Sequence, residues 1–352
     1  MILGTCFSMT GPAAGIMDSM KQAMKGVNLG GWLVLEKWMT PSLFAGTDAV
    51  DEYTFCETAD AKRLKALEKF RRSWIAEDDF RWLRANGVEA VRVPVGYWAF
   101  GDQPPYAKTI GYLDQAFAWA EKYDIKVLVC LHGAPGSQNG KDHSGRVGDI
   151  GWGQDDSIGQ TLEVLERLVA RYHDKTVLLG FELLNEPLMT LSKRLLKQYY
   201  KQAYRLIRRK CGPLPWIVFS DAFRLRRWSW SLHRPLYQGA YLDTHQYQVF
   251  TEHDRSLDLA GHLAKTSRIG RSLRWLGWHR RYIVGEWSAA LDDRSLAGLD
   301  GIARQDALQR FMVAQAAAYR TADAWFYWSY KTEAGDAWSY RDMVRSGRPQ
   351  DG

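Results

Sequence analysis

The sequence predicts one domain of the α/β class, a single barrel of eight parallel strands that alternate with helices. Eight short apolar runs recur along the 352 residues, and amphipathic stretches with apolar residues three to four positions apart follow them. The chain contains neither a Ser/Pro-rich linker nor a low-complexity segment between these elements. This alternation is typical of a (β/α)8 barrel, which often exceeds 250 residues as one domain. A doubly wound open sheet is the competitor, but "GVNLGGW" lacks the spacing of a phosphate-binding loop.

The apolar runs set the order of the predicted elements. Strands are predicted at residues 26–29, 90–95, 126–131, 178–184, 216–220, 240–244, 282–286 and 324–329. Amphipathic helices are predicted at residues 78–87, 111–123, 157–172, 191–210 and 304–320. Gly87 and Gly212 stand where helix C-caps are expected. The first strand-to-helix connection, roughly residues 32–76, is unusually long, and we expect it to pack over the barrel mouth.

Composition narrows the class of function. With 46% hydrophobic and 25% charged residues, the chain has enough apolar material for a large core. The 16 Trp and 17 Tyr residues are an excess, and most of them are expected to fill that core. Because sugar rings present apolar faces that stack on indole, the excess also favours a carbohydrate substrate. The net charge of +7 is spread over 47 basic and 40 acidic residues without a recognisable nucleic-acid-binding module, so a nucleic-acid partner is not expected.

Cysteine spacing and the chain ends add few constraints. The four cysteines form no CxxC pair, so a zinc site is not expected. No feature of the sequence calls for a cofactor, and none is predicted. Residues 1–24 lack a basic n-region and a long apolar run, which favours a cytoplasmic protein without a membrane anchor. We expect these residues to be an N-terminal extension, either disordered or an artefact of start-site choice. The barrel should occupy residues 25–346, followed by a tail over residues 347–352.

The candidate chemistry lies at the strand ends, because barrel enzymes build their active sites at the C-terminal face. The polar and aromatic residues that follow or end the predicted strands, together with Arg92 within the second strand, are Glu36, Arg92, His132, Asn185, Glu186, His245, Tyr247, Glu286 and Trp328. Glu186 and Glu286 end the fourth and seventh strands and should face each other across the mouth. A glycosidic bond is broken by such a pair, since one carboxyl protonates the leaving oxygen and the other attacks the anomeric carbon.

The two carboxyl groups need different surroundings. The acid must hold a proton near neutral pH, which requires partial desolvation or a neighbouring carboxylate. The nucleophile must stay ionised, and Arg92 is the expected cation beside it. Asn185 can hydrogen-bond the sugar 2-hydroxyl, and Trp328 offers a flat apolar surface to the ring. Neither an HExxH motif nor an HxH pair at a strand end occurs, which disfavours a metal-dependent hydrolase.

Seven blocks in the chain together resemble one enzyme family. They are "NLGGWLVLEKWMTPSLF", "VRVPVGYWAF", "LHGAPGSQNG", "LLNEP", "HQYQVF", "VGEW" and "WFYWSYKTE". In this order they resemble glycoside hydrolase family 5, specifically its exo-β-1,3-glucanase branch known from fungi, from about residue 25 to about residue 346. The resemblance implies release of glucose from the non-reducing ends of β-1,3-glucans, or from small β-glucosides, by a retaining double displacement.

The resemblance also implies roles for the candidate residues. Glu186 would be the acid/base and Glu286 the nucleophile, held by Arg92 and Tyr247. His132, Asn185 and His245 would surround the cleavage site. Glu36 would bind the hydroxyls of the non-reducing end, which closes the pocket and makes cleavage exo.

One departure from the family puts the leaving-group preference in question. The fungal enzymes have two phenylalanines that clamp the leaving glucose; here Lys141 stands in the first place and Phe250 in the second.

Three alternative functions stay open: a β-glucosyl transferase, a glucosidase for a non-glucan aglycone and a silent carbohydrate-binding barrel. The presence of both glutamates disfavours the silent barrel. His143 is expected at the surface, whereas Trp98, Trp152 and Trp287 could belong to the core or to a substrate platform.

Overall fold

The predicted fold class is confirmed by a computed structural model that describes residues 22–228, 230–232 and 235–347. Eight parallel strands form a closed barrel in sequence order, and the last pairs with the first. The strands are β1 Met24–Asn28, β2 Ala90–Gly96, β3 Lys126–Gly133, β4 Leu178–Glu182, β5 Trp216–Ser220, β6 Ala240–Gln246, β7 Tyr282–Trp287 and β8 Ala324–Tyr327. Of the expected extension and tail, residues 1–21 and 348–352 lie outside the described residues.

The strand ends differ from the predictions where functional residues cluster. β3 runs two residues further than predicted and contains His132, while β4 stops two residues earlier, at Glu182. Asn185 and Glu186 therefore lie in the loop after β4. The backbone of Glu186 is left-handed, with φ of 39°, a conformation that a strand cannot contain. Such backbone strain in a non-glycine residue is concentrated at functional sites.

Twelve helices lie in the described part of the chain, and they flank the barrel. They are α1 Pro41–Phe44, α2 Glu52–Thr58, α3 Ala61–Trp74, α4 Glu77–Ala85, α5 Ile110–Tyr123, α6 Ser157–Tyr172, α7 Lys193–Cys211, α8 Leu225–Trp228, α9 Glu252–Arg255, α10 Leu259–His279, α11 Gly301–Ala318 and α12 Tyr340–Ser346. The five predicted helices correspond to α4, α5, α6, α7 and α11. Gly87 and Gly212 follow α4 and α7 with positive φ, as the C-cap prediction required. Across the described residues, no helix is long and apolar enough to span a bilayer.

The long first connection contains α1 to α3 and docks against the loop after β3. The backbone NH of Val147 donates to Asp51 Oδ2 (2.6 Å), and that of Tyr53 donates to the Gly145 carbonyl (3.0 Å). Buried Glu52 receives hydrogen bonds from Arg71 (2.5 Å) and Trp98 Nε1 (3.0 Å). These contacts hold the connection at the C-terminal face of the barrel.

The core has two parts with different chemistry. A large apolar cluster fills the space between the strands and the surrounding helices, and Trp152 and Trp287 belong to it. Trp98 is equally buried in a small cluster with Tyr106, so none of the three tryptophans is a substrate platform. The barrel interior is apolar at residues such as Leu128, Val218, Ile283 and Phe326. Further along the strands, towards their C-terminal ends, the same interior becomes charged, and this change of layer positions the functional site.

Candidate active site

A cavity of about 570 Å³ opens at the C-terminal ends of the strands. Nine of the eleven residues singled out from the sequence line it: Glu36, His132, Lys141, Asn185, Glu186, Tyr247, Phe250, Glu286 and Trp328. The other two, Arg92 and His245, bind to lining residues by hydrogen bonds and ion pairs. The structure thus brings the whole predicted set together, with loops from both halves of the barrel contributing.

Arg92 is the centre of the buried network beneath the cavity. It is fully buried, and its Nη1 donates to Asn28 Oδ1 (2.8 Å) and Glu286 Oε1 (2.9 Å). Its Nη2 donates to Asn185 Oδ1 (2.7 Å), and Nε and Nη2 form a two-bond pair with Glu182 (2.6 and 3.0 Å). A buried charge is tolerated only when it is paired and hydrogen-bonded, and all of these partners are fixed by strands or by the loop after β4.

His245 links the two cavity glutamates to the barrel interior. Its Nδ1 lies 2.6 Å from Glu186 Oε1 and 3.4 Å from Glu286 Oε2, and its Nε2 lies 3.2 Å from Asp243 Oδ2. Asp243 is held in turn by the backbone NH of Gly285 (2.6 Å). A Cβ at Gly285 would lie 2.0 Å from Asp243 Oδ2, so glycine is required for this close approach. The strand register shifts at His245, which pairs with Glu286 across β6 and β7.

Charge in this network determines which groups carry protons. Burial opposes ionisation of Glu186, but the hydrogen bond and charge of His245 outweigh it and lower the pKa of Glu186 to about 2. Burial alone would lower the pKa of His245. The negative charges of Glu286 and Asp243 outweigh burial and raise this pKa well above the ordinary value. Burial raises the pKa of Glu182 to about 7 despite Arg92. The pKa shifts of Glu186 and His245 both favour the proton on His245 over Glu186 in the free site.

Glu286 lies at the bottom of the cavity with donors on both oxygens. Arg92 donates to Oε1 and the Tyr247 hydroxyl donates to Oε2 (2.9 Å). Burial raises the pKa of Glu286 from its ordinary value, and His245 and Arg92 oppose that shift. An oxygen of Glu286 and one of Glu186 lie within 4.8 Å of each other. Carboxyl groups this close favour the retaining arrangement, in which they are roughly 5–5.5 Å apart, over the wider spacing of inverting glycosidases.

The loop after β3 is held by a buried glutamine that sequence analysis did not single out. Gln138 Nε2 donates to the carbonyls of His132 (2.7 Å) and Asn185 (2.9 Å), and its Oε1 accepts the NH of Ala134 (3.1 Å). This side chain joins the ends of β3 and β4.

His132 stacks on Trp328, with ring centroids 5.5 Å apart and planes at 7°. Burial, with the charge of Arg92, lowers the pKa of His132 well below its ordinary value, so it faces the cavity as a neutral imidazole.

His143 is not at the surface, contrary to the sequence prediction. Its Nε2 lies 3.4 Å from Glu186 Oε2 and 2.8 Å from Asn139 Nδ2, and it lines the cavity. His143 lies in the short 3-10 turn Asp142–Ser144. The Gly-rich loop after β3 places this turn over the mouth of the cavity. The sequence could have indicated this position, because His143 follows His132 by eleven residues in a loop already assigned to the site.

The cavity rim is aromatic on one side and charged on the other. Glu36 is buried and accepts a hydrogen bond from Trp38 Nε1 (2.9 Å), and Trp38 packs edge-on against Trp338 at 5.3 Å. Burial and the charge of nearby Asp142 raise the pKa of Glu36 well above its ordinary value. Phe250 is 61% exposed, so one of its faces is free for a ligand.

Three further residues of the network were missed because they lie inside the strands as predicted from the sequence, and mainly the ends of those strands were searched. Asn28, Glu182 and Asp243 are all buried and bind Arg92 or His245. Alternation along a strand could have found Asp243, since it precedes His245 by two positions and so faces the same side. A charged residue inside an otherwise apolar barrel strand is itself a signal of a buried network.

The same oxygens and imidazole could in principle hold a cation. Glu182, Asp243 and His245 form one cluster, and Glu186, His245 and Glu286 form another, each with ligand atoms within 4.8 Å. Arg92, however, already supplies a positive charge to Glu182 and Glu286 at 2.6 and 2.9 Å. The donor set is thus accounted for by the guanidinium and the imidazolium, and it favours an acid–base site over a metal centre.

Arg92→Met should reduce the free energy of unfolding by about 3–5 kcal/mol at pH 7.5, because it leaves buried carboxylates without their cation. Glu182 has a folded pKa of about 7 against an ordinary 4.5. Because Arg92 lowers that pKa, its removal raises the pKa further, and a carboxyl with a higher folded pKa stabilises the fold more as the pH falls towards 4.5. The deficit should therefore shrink at pH 5.5, as measured by urea unfolding at both pH values.

The double variant Arg92→Met/Glu182→Gln is the matched control. It removes the uncompensated carboxylate and should recover part of the loss at pH 7.5. Equal losses in the single and double variants at both pH values would show that the Arg92–Glu182 pair is not what stabilises this layer.

Comparison with known proteins identifies the family. The family model for cellulase (glycosyl hydrolase family 5) matches residues 56–334. A probable glucan 1,3-beta-glucosidase A from Aspergillus fumigatus is 36% identical over 92% of this chain and 86% of its own length. A glucan 1,3-beta-glucosidase from Schwanniomyces occidentalis is 35% identical over 94% and 88%. The solved rutinosidase from Aspergillus niger shares the fold, with a TM-score of 0.79 at 19% identity over 94% of this chain and 98% of its own. The chain belongs to glycosyl hydrolase family 5, and it is a retaining β-glycosidase.

Proposed function

We propose that this enzyme releases glucose from the non-reducing ends of short β-1,3-glucans and from small β-glucosides. The observation that carries the proposal is the pair Glu186 and Glu286, with oxygens within 4.8 Å in a cavity that Glu36 borders. The relatives named glucan 1,3-beta-glucosidase, at 35–36% identity over most of the chain, support the substrate class.

Glu286 is the nucleophile in this proposal. Arg92 and the Tyr247 hydroxyl each hydrogen-bond one of its oxygens, and such donors favour the ionised carboxylate. Its attack on the anomeric carbon forms a glucosyl–enzyme ester and breaks the bond to the leaving oxygen. Arg92 holds Asn185 through its Oδ1, and Asn185 Nδ2 lies 3.3 Å from His132 Nε2, which leaves its second N–H for the sugar 2-hydroxyl.

Glu186 is the acid/base, although its pKa of about 2 in the free site would leave it ionised. The proton it needs lies on His245, 2.6 Å from Glu186 Oε1, and the two groups together hold one proton. As the ester bond forms, Glu286 gives up its negative charge, and a main reason for the raised pKa of His245 is removed. In the same step the proton passes along the short hydrogen bond to Glu186 and on to the leaving oxygen as the glycosidic bond breaks, as general acid catalysis requires.

Glu36 makes the cavity suited to a chain end. Its pKa is raised well above the ordinary value, so near neutral pH the carboxyl can donate as well as accept hydrogen bonds. A sugar hydroxyl also does both, and a terminal glucose offers several of them. A bordering carboxyl of this kind favours binding of the non-reducing end.

Digestion of laminarin tests the mode and stereochemistry of cleavage. We expect glucose as the main early product, little early fall in viscosity, and β-glucose as the first anomer in proton NMR, because double displacement retains configuration. Mixed oligomers with a rapid fall in viscosity would contradict exo cleavage, and α-glucose as the first anomer would contradict retention.

Azide rescue assigns the two glutamates. Glu186→Ala should still form the glucosyl–enzyme from dinitrophenyl glucoside, because a good leaving group needs no proton, and azide should restore turnover with β-glucosyl azide as product. On poorly activated glucosides, kcat/KM of Glu186→Ala should fall by about 10²–10⁴-fold. Glu286→Ala should be inactive, and any azide product should be the α-anomer, since the covalent step is skipped. If Glu186→Ala gave the α-azide and Glu286→Ala the β-azide, the roles of the two glutamates would be reversed. Wild-type enzyme with azide is the control.

Lys141→Phe tests the leaving-group side. Lys141 is an exposed residue on the cavity wall that also includes Phe250, where a second aromatic face would grip a leaving glucose. We expect the substitution to raise kcat/KM for laminaribiose about fivefold, corresponding to about 1 kcal/mol of stacking. Nitrophenyl glucoside should change little. Lys62→Phe, on the exposed face of α3, is the matched control; an unchanged substrate ratio in Lys141→Phe would place Lys141 outside the leaving-group subsite.

A further inference from the structure

A second concavity, of about 860 Å³, adjoins the active-site cavity and is strongly basic. We call it the arginine groove. Its charged lining is Arg224, Arg226 and Arg227, at and beside α8, with Arg271 from α10. The aromatic side chains of Phe223 and Trp275 also line it, and they are 50% and 44% exposed. A cleft lined by one sign of charge concentrates ligands of the opposite sign.

In the described part of the chain, the groove's positive charge is left without ion-pair partners. Within residues 22–228, 230–232 and 235–347, none of the four guanidinium groups forms an ion pair or a side-chain hydrogen bond. Elsewhere on the surface arginines are commonly paired, as Arg171 is with Asp114 and Arg304 with Asp293. Burial and the positive charges of Lys197 and Arg227 lower the pKa of nearby Lys193, which is consistent with uncompensated charge.

Phe223 connects the groove to the active site. It lines both the groove and the active-site cavity. Its ring lies edge-on to His245, with centroids 6.3 Å apart and planes at 86°. Because His245 hydrogen-bonds Glu186, the groove begins on the side of the acid/base, where the leaving group departs.

We propose that the arginine groove binds the leaving-group portion of a β-glycan that carries anionic substituents, such as carboxylates or sulfates. Guanidinium groups bind such oxyanions through paired hydrogen bonds, and Trp275 presents a face on which a sugar ring can stack. The proposal rests on the proposed function, since it extends the same substrate beyond Lys141 and Phe250. An anionic membrane would suit a flat or protruding surface, whereas this groove is concave and opens towards the cleavage site.

The test compares laminaritetraose with its aldonate, in which the reducing end is oxidised to a carboxylate and the non-reducing end is unchanged. We expect wild-type kcat/KM to be about three- to fivefold higher for the aldonate at 50 mM NaCl, in line with a surface charge pair. The preference should vanish at 1 M NaCl, where the screening length is about 3 Å. It should also vanish in Arg224→Gln/Arg226→Gln/Arg227→Gln. The control Arg205→Gln/Arg209→Gln/Lys210→Gln removes three exposed charges of α7 and should keep the preference.

Other outcomes separate this proposal from the proposed function. No turnover of neutral laminaritetraose by the wild type would count against the proposed function, and calorimetric binding of the aldonate would then still test the groove. Equal affinity for aldonate and neutral tetraose, or an equal loss on both in the arginine variant, would overturn the groove proposal. Arginine-dependent sedimentation with phosphatidylglycerol vesicles, without an aldonate preference, would make the groove a membrane-binding surface instead.

Discussion

Arg92 places a guanidinium inside the closed barrel, where its NH groups meet oxygens of Asn28, Glu182, Asn185 and Glu286. Desolvating such a charge costs several kcal/mol, and this cost is offset only if the partners stand in place before substrate arrives. The partners come from β1, β4, the loop after β4, and β7, so the barrel must close for the pairs to form. The positions of the Glu286 carboxylate and the Asn185 amide, and the stability of the polar layer, therefore depend on one side chain.

The number of negative groups around Arg92 explains how the site stores a proton. Glu182, Asp243, Glu186 and Glu286 surround two possible cations, Arg92 and His245. Four carboxylates and one fixed cation in a buried volume favour uptake of protons, which raises the pKa of Glu182 to about 7 and that of His245 well above its ordinary value. In the proposed mechanism the catalytic proton is thus held by the network as a whole, and Glu186 passes it to the leaving oxygen.

The sequence was sufficient to predict the barrel, because alternation of short apolar runs with amphipathic helices leaves few other folds. It was also sufficient to predict that Glu186 and Glu286 meet, since both follow strands that end at one face. It did not predict the proton on His245 or the role of Asp243, because these depend on distances across the barrel, such as the 3.2 Å between Asp243 and His245. His143 was misplaced for a similar reason, since the path of the Gly-rich loop is set by contacts such as those of Gln138.

The floor and the rim of the site are under different physical constraints. On the floor, replacing any partner of Arg92 leaves a buried charge unsatisfied, so few side chains are compatible with the fold. At the rim, Lys141 is exposed, Phe250 is 61% exposed, and neither is tied to the buried network by an ion pair within the described residues. Substitution there costs little stability, so the identity of the leaving group can change while the chemistry stays the same. Lys141 on the cavity wall and the arginine groove, which Phe223 joins to the cavity, both lie in this less constrained region.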